Sequence, residues 1–262
     1  MAHPDLKITL VEEVDSTNSL ALKAIKDGAP QGVVFAADRQ IAGRGRRHAD
    51  GSRRPWFSPP GKNLYLSVVI RPQVAVHKSS AITIAVGATL VDTLRQHTGV
   101  DVELKWPNDL YVGNTKLGGI LTEAVTSPAG LQGAAVGIGI NVNVTGEDFP
   151  DEICDIATSL VEHRGRLVDR MGLLFEVAGA VIDASETFAE QGLEAFSTIL
   201  ERHDWLYGKQ VHIEDGSRCG FGEAIGIGAG GGLRVRFDDG TISEIVSGEV
   251  SVVDDKSTSR EE

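Results

Sequence analysis

Arg44, Arg46, Arg47, Arg53 and Arg54 crowd into one short stretch of the chain, with Gly43, Gly45 and Gly51 beside and among them. Glycines leave backbone N–H groups open to an oxyanion, and guanidinium groups add planar, multidentate charge. The stretch therefore suits a small anionic ligand bearing phosphate or carboxylate. It is neither the dinucleotide fingerprint nor a Walker A loop, because no Gly-Lys-Ser/Thr follows and no helix evidently opens there. Like charges and glycines also predict a segment that is mobile until an anion orders it, against roughly 1–2 kcal/mol per backbone residue.

Three more clusters carry functional groups. Lys116 precedes Leu117-Gly118-Gly119-Ile120-Leu121. Beside a bare strand surface its ammonium can meet an anion; read alone, it is a solvated strand end. Lys105-Trp106-Pro107-Asn108-Asp109 puts a cation, an amide and a carboxylate at a strand end, since proline holds Trp106 extended. Asp109 could hold Mg²⁺ through water beside phosphate oxygens, although an Asn-Asp pair is also an ordinary turn. In AAVGIGINVN, residues 134–143, branched side chains alternate with Gly137, Gly139, Asn141 and Asn143. One strand face is core-forming, and the other admits a ligand or a tightly packed neighbour. Trp56, downstream of the arginines, is either a core residue or a surface for a base to stack on.

Such groups need rigid supports, which the hydrophobic pattern supplies. Residues 6–14, 33–37, 63–71, 102–106, 117–125 and 134–144 read as strands, and 79–97, 168–189 and 193–203 as helices. Asp15-Ser16-Thr17-Asn18 supplies capping side chains to a helix with Leu20, Ala21, Ala24 and Ile25 on one face and Gly28 as its stop. Residues 39–55 read as a long polar loop. The result is an α+β fold, a mixed β-sheet with flanking helices. Beyond Gly208, short alternating strands separated by Gly, Asp and Ser fit a small β-barrel with a hairpin loop at Gly228–Gly232. The expected organisation is a main domain over 1–206, a β-domain over 207–254 and a disordered tail over 255–262.

Composition narrows the function classes. A net charge of −12 opposes general affinity for nucleic acid or anionic lipid, so the arginine cluster is a local exception. No apolar run is long enough to span a membrane, and the N-terminus lacks a secretory layout. Cys154 and Cys219 make no disulfide framework, which suits a reducing cytoplasm. Neither has a His or second Cys at ligand spacing, so both read as small buried side chains.

Taken in order, Ser16-Thr17-Asn18, GRGRR at 43–47, WFSPPGKNLYLS at 56–67, KWPND at 105–109, KLGGIL at 116–121 and GIGINVN at 137–143 resemble the motifs of biotin–protein ligases. The resemblance covers residues 10–145 closely, and the C-terminal β-domain matches the family's layout. It implies a class II synthetase-like biotin–lipoate ligase core with an SH3-like barrel. The implied activity is ATP-dependent ligation of biotin to a lysine of a biotin carboxyl carrier protein through biotinyl-5′-AMP, with Mg²⁺ on the nucleotide. Ser16, Thr17, Asn18 and Gln40 would then contact the ureido end of biotin, with Gly43, Gly118 and Gly119 in the same subsite. Arg44, Gly45 and Arg46 would close over the carboxylate and phosphate, and Lys116 would bind the carboxylate. Trp56, Lys105, Asn108 and Asn141 fall to ATP together with Arg46. Lys116, Arg46 and Asp109 would be the catalytic set, with Asp109 toward the metal. No His or Cys in these motifs is an evident general base. The chain departs from the family after Arg47, where HADGSRRP precedes Trp56.

Three rivals remain at this level. A lipoate or octanoyl ligase shares the fold, but GRGRR, KWPND and KLGGIL are not expected of it. A biotin-sensing repressor would need a DNA-reading domain, and only fourteen residues precede the first motif at Asp15. A biotin-binding module without catalysis would have no use for Lys116 and Asp109. The family suggests a monomer or homodimer, and no specific DNA binding is expected.

Overall fold

Strand-forming runs in the first half of the chain assemble into a single sheet. The structure, a computed structural model, describes residues 6–47, 51–128, 130–214 and 219–253, without the side chains of Arg47 and His77. The tail at 255–262 lies outside the described residues. In chain order the first elements are β1 (Lys7–Val14), α1 (Thr17–Lys26), β2 (Val33–Gln40), β3 (Arg44–Arg47), β4 (Arg53–Pro55) and β5 (Leu64–Ile70). They are followed by α2 (Ser79–Thr98), β6 (Val102–Lys105), β7 (Asp109–Val112), β8 (Thr115–Ser127) and β9 (Gly130–Ile140). Seven strands form the main sheet in the order β1-β2-β5-β9-β8-β7-β6, with β1 parallel to β2 and the other ladders antiparallel.

The two faces of this sheet have different coverings, and the register says which residue belongs to which. Val68 and Ile70 of β5 join the main core with α2 and α4 (Arg170–Gln191). Val69, pointing the other way, packs with Ala21 and Ile25 of α1. By alternation Tyr65 and Ser67 share the α1 face. Pairing extends that face through Ala135, Gly137 and Gly139 of β9, then through Glu123, Leu121 and Gly119 of β8. The short helix covers the Val69–Ala135 end, and the glycine end is left for other groups.

Several expectations change in detail. The polar loop at 39–55 is instead the end of β2 followed by a hairpin, because β3 and β4 pair antiparallel. Asp109 does not sit in a free turn: it opens β7, opposite Lys105. The Trp106–Pro107 peptide is cis. Ser16 occupies the N-cap of α1 but makes no capping bond; Gln40 Oε1 accepts from Thr17 N at 2.9 Å instead. The buried stripe of α1 is Thr17, Asn18, Ala21 and Ile25, so two polar residues extend the apolar face by one turn. A short helix, α3 (Leu160–Arg164), lies before α4, and the last helical stretch is a 3₁₀ turn leading into α5 (Ser197–His203).

The C-terminal strands are β10 (Gln210–Glu214), β11 (Cys219–Ile227), β12 (Leu233–Phe237), β13 (Ile242–Ile245) and β14 (Glu249–Val252). They form an antiparallel sheet in the order β13-β12-β11-β10-β14. Among the described residues β13 and β14 do not pair, so the expected barrel is an unclosed sheet. Residues 246–248 alone link its opposite edges, which requires strong curl. Val211, Ile213, Ala224, Leu233, Val235 and Ile245 belong to the main core cluster, and Trp106 Nε1 donates to Gly231 O at 2.9 Å. Both thiols are exposed rather than buried, and the β10–β11 ladder brings Cys219 Sγ to 3.2 Å from His212 Nε2. That proximity is set by strand pairing, not sequence spacing.

Asp204 sits where the helices hand over to this sheet. Its carboxyl accepts from Leu206 N at 3.0 Å through one oxygen, while the other is buried without a partner. Burial pushes its pKa up to about 6, with Glu103 adding to the rise against the Leu206 bond and Lys209. A carboxyl whose folded pKa exceeds its unfolded one stabilises the native state fully at low pH and loses that contribution as pH rises through the folded value. Asp204→Asn should therefore match the parent in urea near pH 4. It should gain up to roughly 3 kcal/mol near pH 8. An equal difference at both pH values would rule out this origin.

Candidate active site

The uncovered end of the α1 face is a floor almost without side chains. A Cβ on Gly137 would stand 2.3 Å from Asn18 Oδ1, and one on Gly139 would stand 2.7 Å from Trp56 Nε1. At Gly119 the nearest neighbours would be Asp109, Lys116 and the Trp56 ring, at 3.4–3.7 Å. These glycines let Asn18 and Trp56 lie directly on the backbone. Gly118 faces the core side, where a Cβ would come within 2.6 Å of Gly139 O. Gly43 accepts from Trp56 N, and its own Cβ would press on Ser58 Oγ at 2.8 Å. Neither Gly118 nor Gly43 borders the cavity, and both stand where a side chain would meet its neighbours.

Over the floor lies a cavity of about 1100 Å³, at the upper end for small-molecule sites. Around Gly137 it is bordered by Ser16, Thr17, Asn18 and Gln40, and around Gly119 by Lys105, Asn108, Asp109, Lys116 and Asn141. Arg44, Gly45, Arg46 and Trp56 border it from the hairpin side. Segments that no motif marked complete the wall: Pro150, Ile153, Ile156 and Ala157, and Ser247–Val250 of the C-terminal sheet. Their common feature, proximity in the fold, leaves no trace in local sequence.

At the neutral end the polar groups form one chain. Ser67 Oγ, fully buried, lies 2.7 Å from Thr17 Oγ1 and 2.6 Å from Asn18 Oδ1. Asn18 Nδ2 donates to Leu121 O at 3.1 Å and to Glu123 Oε2 at 2.9 Å. Both amide hydrogens are thus engaged, and Asn18 can meet a ligand only as an acceptor. Ser67 closes the WFSPPGKNLYLS motif without a role of its own there, and Glu123 lies outside the motifs, although it is in phase with Gly119 and Leu121 along β8.

At the cationic end every described guanidinium has an acceptor. Arg44 Nη2 lies 3.0 Å from Glu123 Oε2 and Arg44 Nη1 donates to Ser19 Oγ at 2.9 Å. Arg53 reaches Glu123 Oε1 at 3.3 Å, and Arg54 pairs with Glu249. Arg46 donates to Asn108 Oδ1 at 3.5 Å and to Gly248 O at 3.4 Å. The repulsion expected within the cluster is therefore offset by carboxylates brought in from β8 and β14. Burial depresses Arg46, with Asp109 and Glu249 acting against it and Arg54 adding to it. Burial would raise the Glu123 carboxyl, but the bond from Asn18 and the charges of Arg44 and Arg53 hold it below the ordinary range.

Lys116 Nζ is 2.6 Å from Asp109 Oδ1 and 5.4 Å from the Trp56 ring centre. The two candidates for separate roles are thus an ion pair. Lys105 is depressed chiefly by burial, and its ammonium lies 4.9 Å from the Tyr111 and Trp205 ring centres. Asn141 borders the cavity with its amide partly engaged: Nδ2 donates to Thr158 O and Oδ1 accepts from Asn63 Nδ2. Trp56 Nε1 and Arg44 Nε are buried donors without an acceptor among the described residues.

Comparison with known proteins converges on one family. Residues 10–141 match the model of the biotin/lipoate A/B protein ligase family. The bifunctional ligase/repressor BirA of Bacillus spizizenii is 30% identical over 91% of this chain and 72% of its own. The biotin–[acetyl-CoA-carboxylase] ligase of Mycobacterium tuberculosis is 33% identical over 67% of this chain and 64% of its own. Among solved structures, the biotin protein ligase from Aquifex aeolicus in complex with biotin and ATP superposes with a TM-score of 0.78 at 31% identity, over 94% of this chain and 98% of that one.

The floor yields a direct test. Gly137→Ala places a methyl on Asn18, whose amide is held at both ends and cannot swing aside freely. The substitution should cost about 1–3 kcal/mol in urea unfolding, the usual range for overpacking. An unchanged midpoint would show that Asn18 relocates at no cost.

Proposed function

Because the chain belongs to the biotin/lipoate A/B protein ligase family, we infer that it ligates biotin to a lysine of a biotin carboxyl carrier protein, consuming ATP through biotinyl-5′-AMP. The carrying observation is one cavity whose borders run from neutral polar groups at Ser16, Thr17 and Asn18 to the cations Arg46, Lys105 and Lys116. A ligand with an uncharged ureido ring at one end and a phosphate-linked carboxyl at the other has that polarity.

Biotin's carboxylate needs a good leaving group before an amine can attack its acyl carbon. Its oxygen attacks the α-phosphorus of ATP, the phosphoanhydride bond breaks and pyrophosphate departs. Two anions must meet, so the protein's main task is to position them and offset their repulsion. Lys116 and Arg46 supply that charge. Asp109 holds the Lys116 ammonium in place, an arrangement that orients the cation before the anions arrive. Asp109 is the carboxylate that would meet Mg²⁺ arriving on the triphosphate with its waters, shared there with the Lys116 ion pair and beside the charges of Arg46 and Lys105. That ion would neutralise phosphate charge. In the second half-reaction the carrier's lysine attacks the acyl carbon and AMP leaves. The amine must be neutral, against an ordinary pKa of ~10.4, and the cations around the cavity favour the neutral form.

The acidic charge of −12 disfavours a polyanionic partner, so the ligase half of the relatives' name is the one carried over. No helix among the described residues is long and apolar enough to cross a membrane, and a cytoplasmic site of action is the reading that two free cysteines support.

The reading is tested by offering the chain labelled biotin or lipoate, with ATP and a purified carboxyl-carrier domain. Transfer of biotin alone is expected, and transfer of lipoate alone would reassign the substrate. Lys116→Ala should remain folded and lose adenylate formation, since a charge-assisted contact contributes ~1.5–3 kcal/mol. Normal pyrophosphate release by that variant would remove Lys116 from the chemistry. Arg46→Gly should still form some adenylate but hold it poorly, measured as biotinylation of a bystander protein; an unlabelled bystander would contradict a retaining role.

A further inference from the structure

Glu123 is a carboxylate that three separate site segments share. Its Oε2 accepts from Asn18 Nδ2 at 2.9 Å and lies 3.0 Å from Arg44 Nη2, while its Oε1 faces both Arg53 terminal nitrogens at 3.3 and 3.4 Å. Those donors come from the start of α1, from β3 and from β4, whereas Glu123 stands on β8, next to the central strand β9. We propose that Glu123 is a positioning residue for biotin: it fixes the Asn18 amide with its oxygen toward the ligand and ties both strands of the arginine hairpin to the sheet.

The argument rests on hydrogen-bond direction and on the inference that biotin occupies this cavity. An unrestrained asparagine can turn either its oxygen or its NH₂ toward a ligand. Here Leu121 O and Glu123 take both amide hydrogens, and Ser67 faces the oxygen. What remains is an acceptor lone pair, which selects a ring N–H such as the ureido group carries. The same carboxylate aligns Arg44, whose buried Nε still lacks an acceptor. Arg53 belongs to the HADGSRRP segment, so that departure from the family pattern gives the hairpin a second attachment to the same anchor.

Glutamine at position 123 is nearly the same size, but its NH₂ would confront donors from Asn18, Arg44 or Arg53. Either the Asn18 amide turns over or an arginine detaches. Aspartate keeps the charge and loses one methylene of reach. Direct calorimetric titration with biotin, without ATP, reads the effect before any chemistry. Glu123→Gln should weaken biotin at least about tenfold, as loss of a charge-assisted network does. Glu123→Asp should recover part of that loss. In biotin-dependent ATP–pyrophosphate exchange, KM for biotin should rise while KM for ATP stays within about twofold. If Glu123→Gln does not fold, Arg53→Gln removes one arm alone and should weaken biotin by about threefold. A folded Glu123→Gln that binds biotin like the parent overturns the proposal, as does an equal rise in both KM values. If the parent itself binds no biotin, the functional reading fails first and the proposal with it.

Discussion

A pleated strand presents a side chain to each face at every second position, so a sheet that seats a ligand on one face must remove some of them. Here the removal is concentrated where β8 and β9 run side by side, at Gly119, Gly137 and Gly139. Two of those positions leave no room for even one carbon, because Asn18 and the Trp56 indole occupy it. Everything else about the site follows from that bare patch. α1 is short and covers only the end where Val69 and Ala135 have side chains. The residues at its first turn are then free to face the cavity, and a strand-borne amide, Gln40, takes over the capping that Ser16 does not perform.

The second constraint is charge. Arginines grouped near one another repel unless acceptors lie within reach, and burying them deepens the cost. The fold answers with carboxylates on two different sheets: Glu123 from β8 holds Arg44 and Arg53, and Glu249 from β14 holds Arg54. Each arm of the hairpin is thus attached both to the floor and to the C-terminal sheet, β3 through Arg44 and Arg46 and β4 through Arg53 and Arg54. An anion entering between them competes with these carboxylates for the same guanidinium groups, so its binding is an exchange of partners rather than a net neutralisation. Arg46 differs, because its acceptors are the amide oxygen of Asn108 and the carbonyl of Gly248. It is therefore the described arginine of the hairpin whose charge an incoming phosphate can most readily take over.

Much of this was legible along the chain. Strand and helix runs were readable because one face of each is apolar, and the glycine alternation of β9 identified a bare face before any partner was known. What local sequence could not carry was pairing. Cys219 meets His212 only through the β10–β11 ladder, and the arginines meet Glu123 across residues that no motif joins. Asp109 and Lys116 were visible as two candidates, yet their 2.6 Å contact depends on β7 and β8 lying side by side. The hairpin was read as loop because β3 is only four residues of Arg and Gly, without the β-branched content that marks a strand. Gly118 shows the opposite failure: adjacent to Gly119 in sequence, it lies on the other face of the same strand, where its missing side chain makes room for the backbone of β9. Composition identified both glycines, but only phase separates them.

The placement of the C-terminal sheet follows from the same economy of surfaces. Its inward residues merge with the main core, and Trp106, at the end of the strand that precedes Asp109, donates to Gly231 across the junction. The cavity wall at Ser247–Val250 is thereby fixed relative to Asp109 by packing, and the exposed Arg54–Glu249 pair ties it to the hairpin. Asp204 and the Trp205 indole, which donates to Gly113 O, occupy the same seam. Lys105 connects the seam to the site: its ammonium lies near Trp205 on one side and borders the cavity on the other. Movement of the C-terminal sheet would therefore alter the environment of a cavity cation as well as the shape of the wall. A sheet attached in this way is a structural part of the cavity, since removing it would expose Trp106 and leave the arginine hairpin with its floor-side anchor alone.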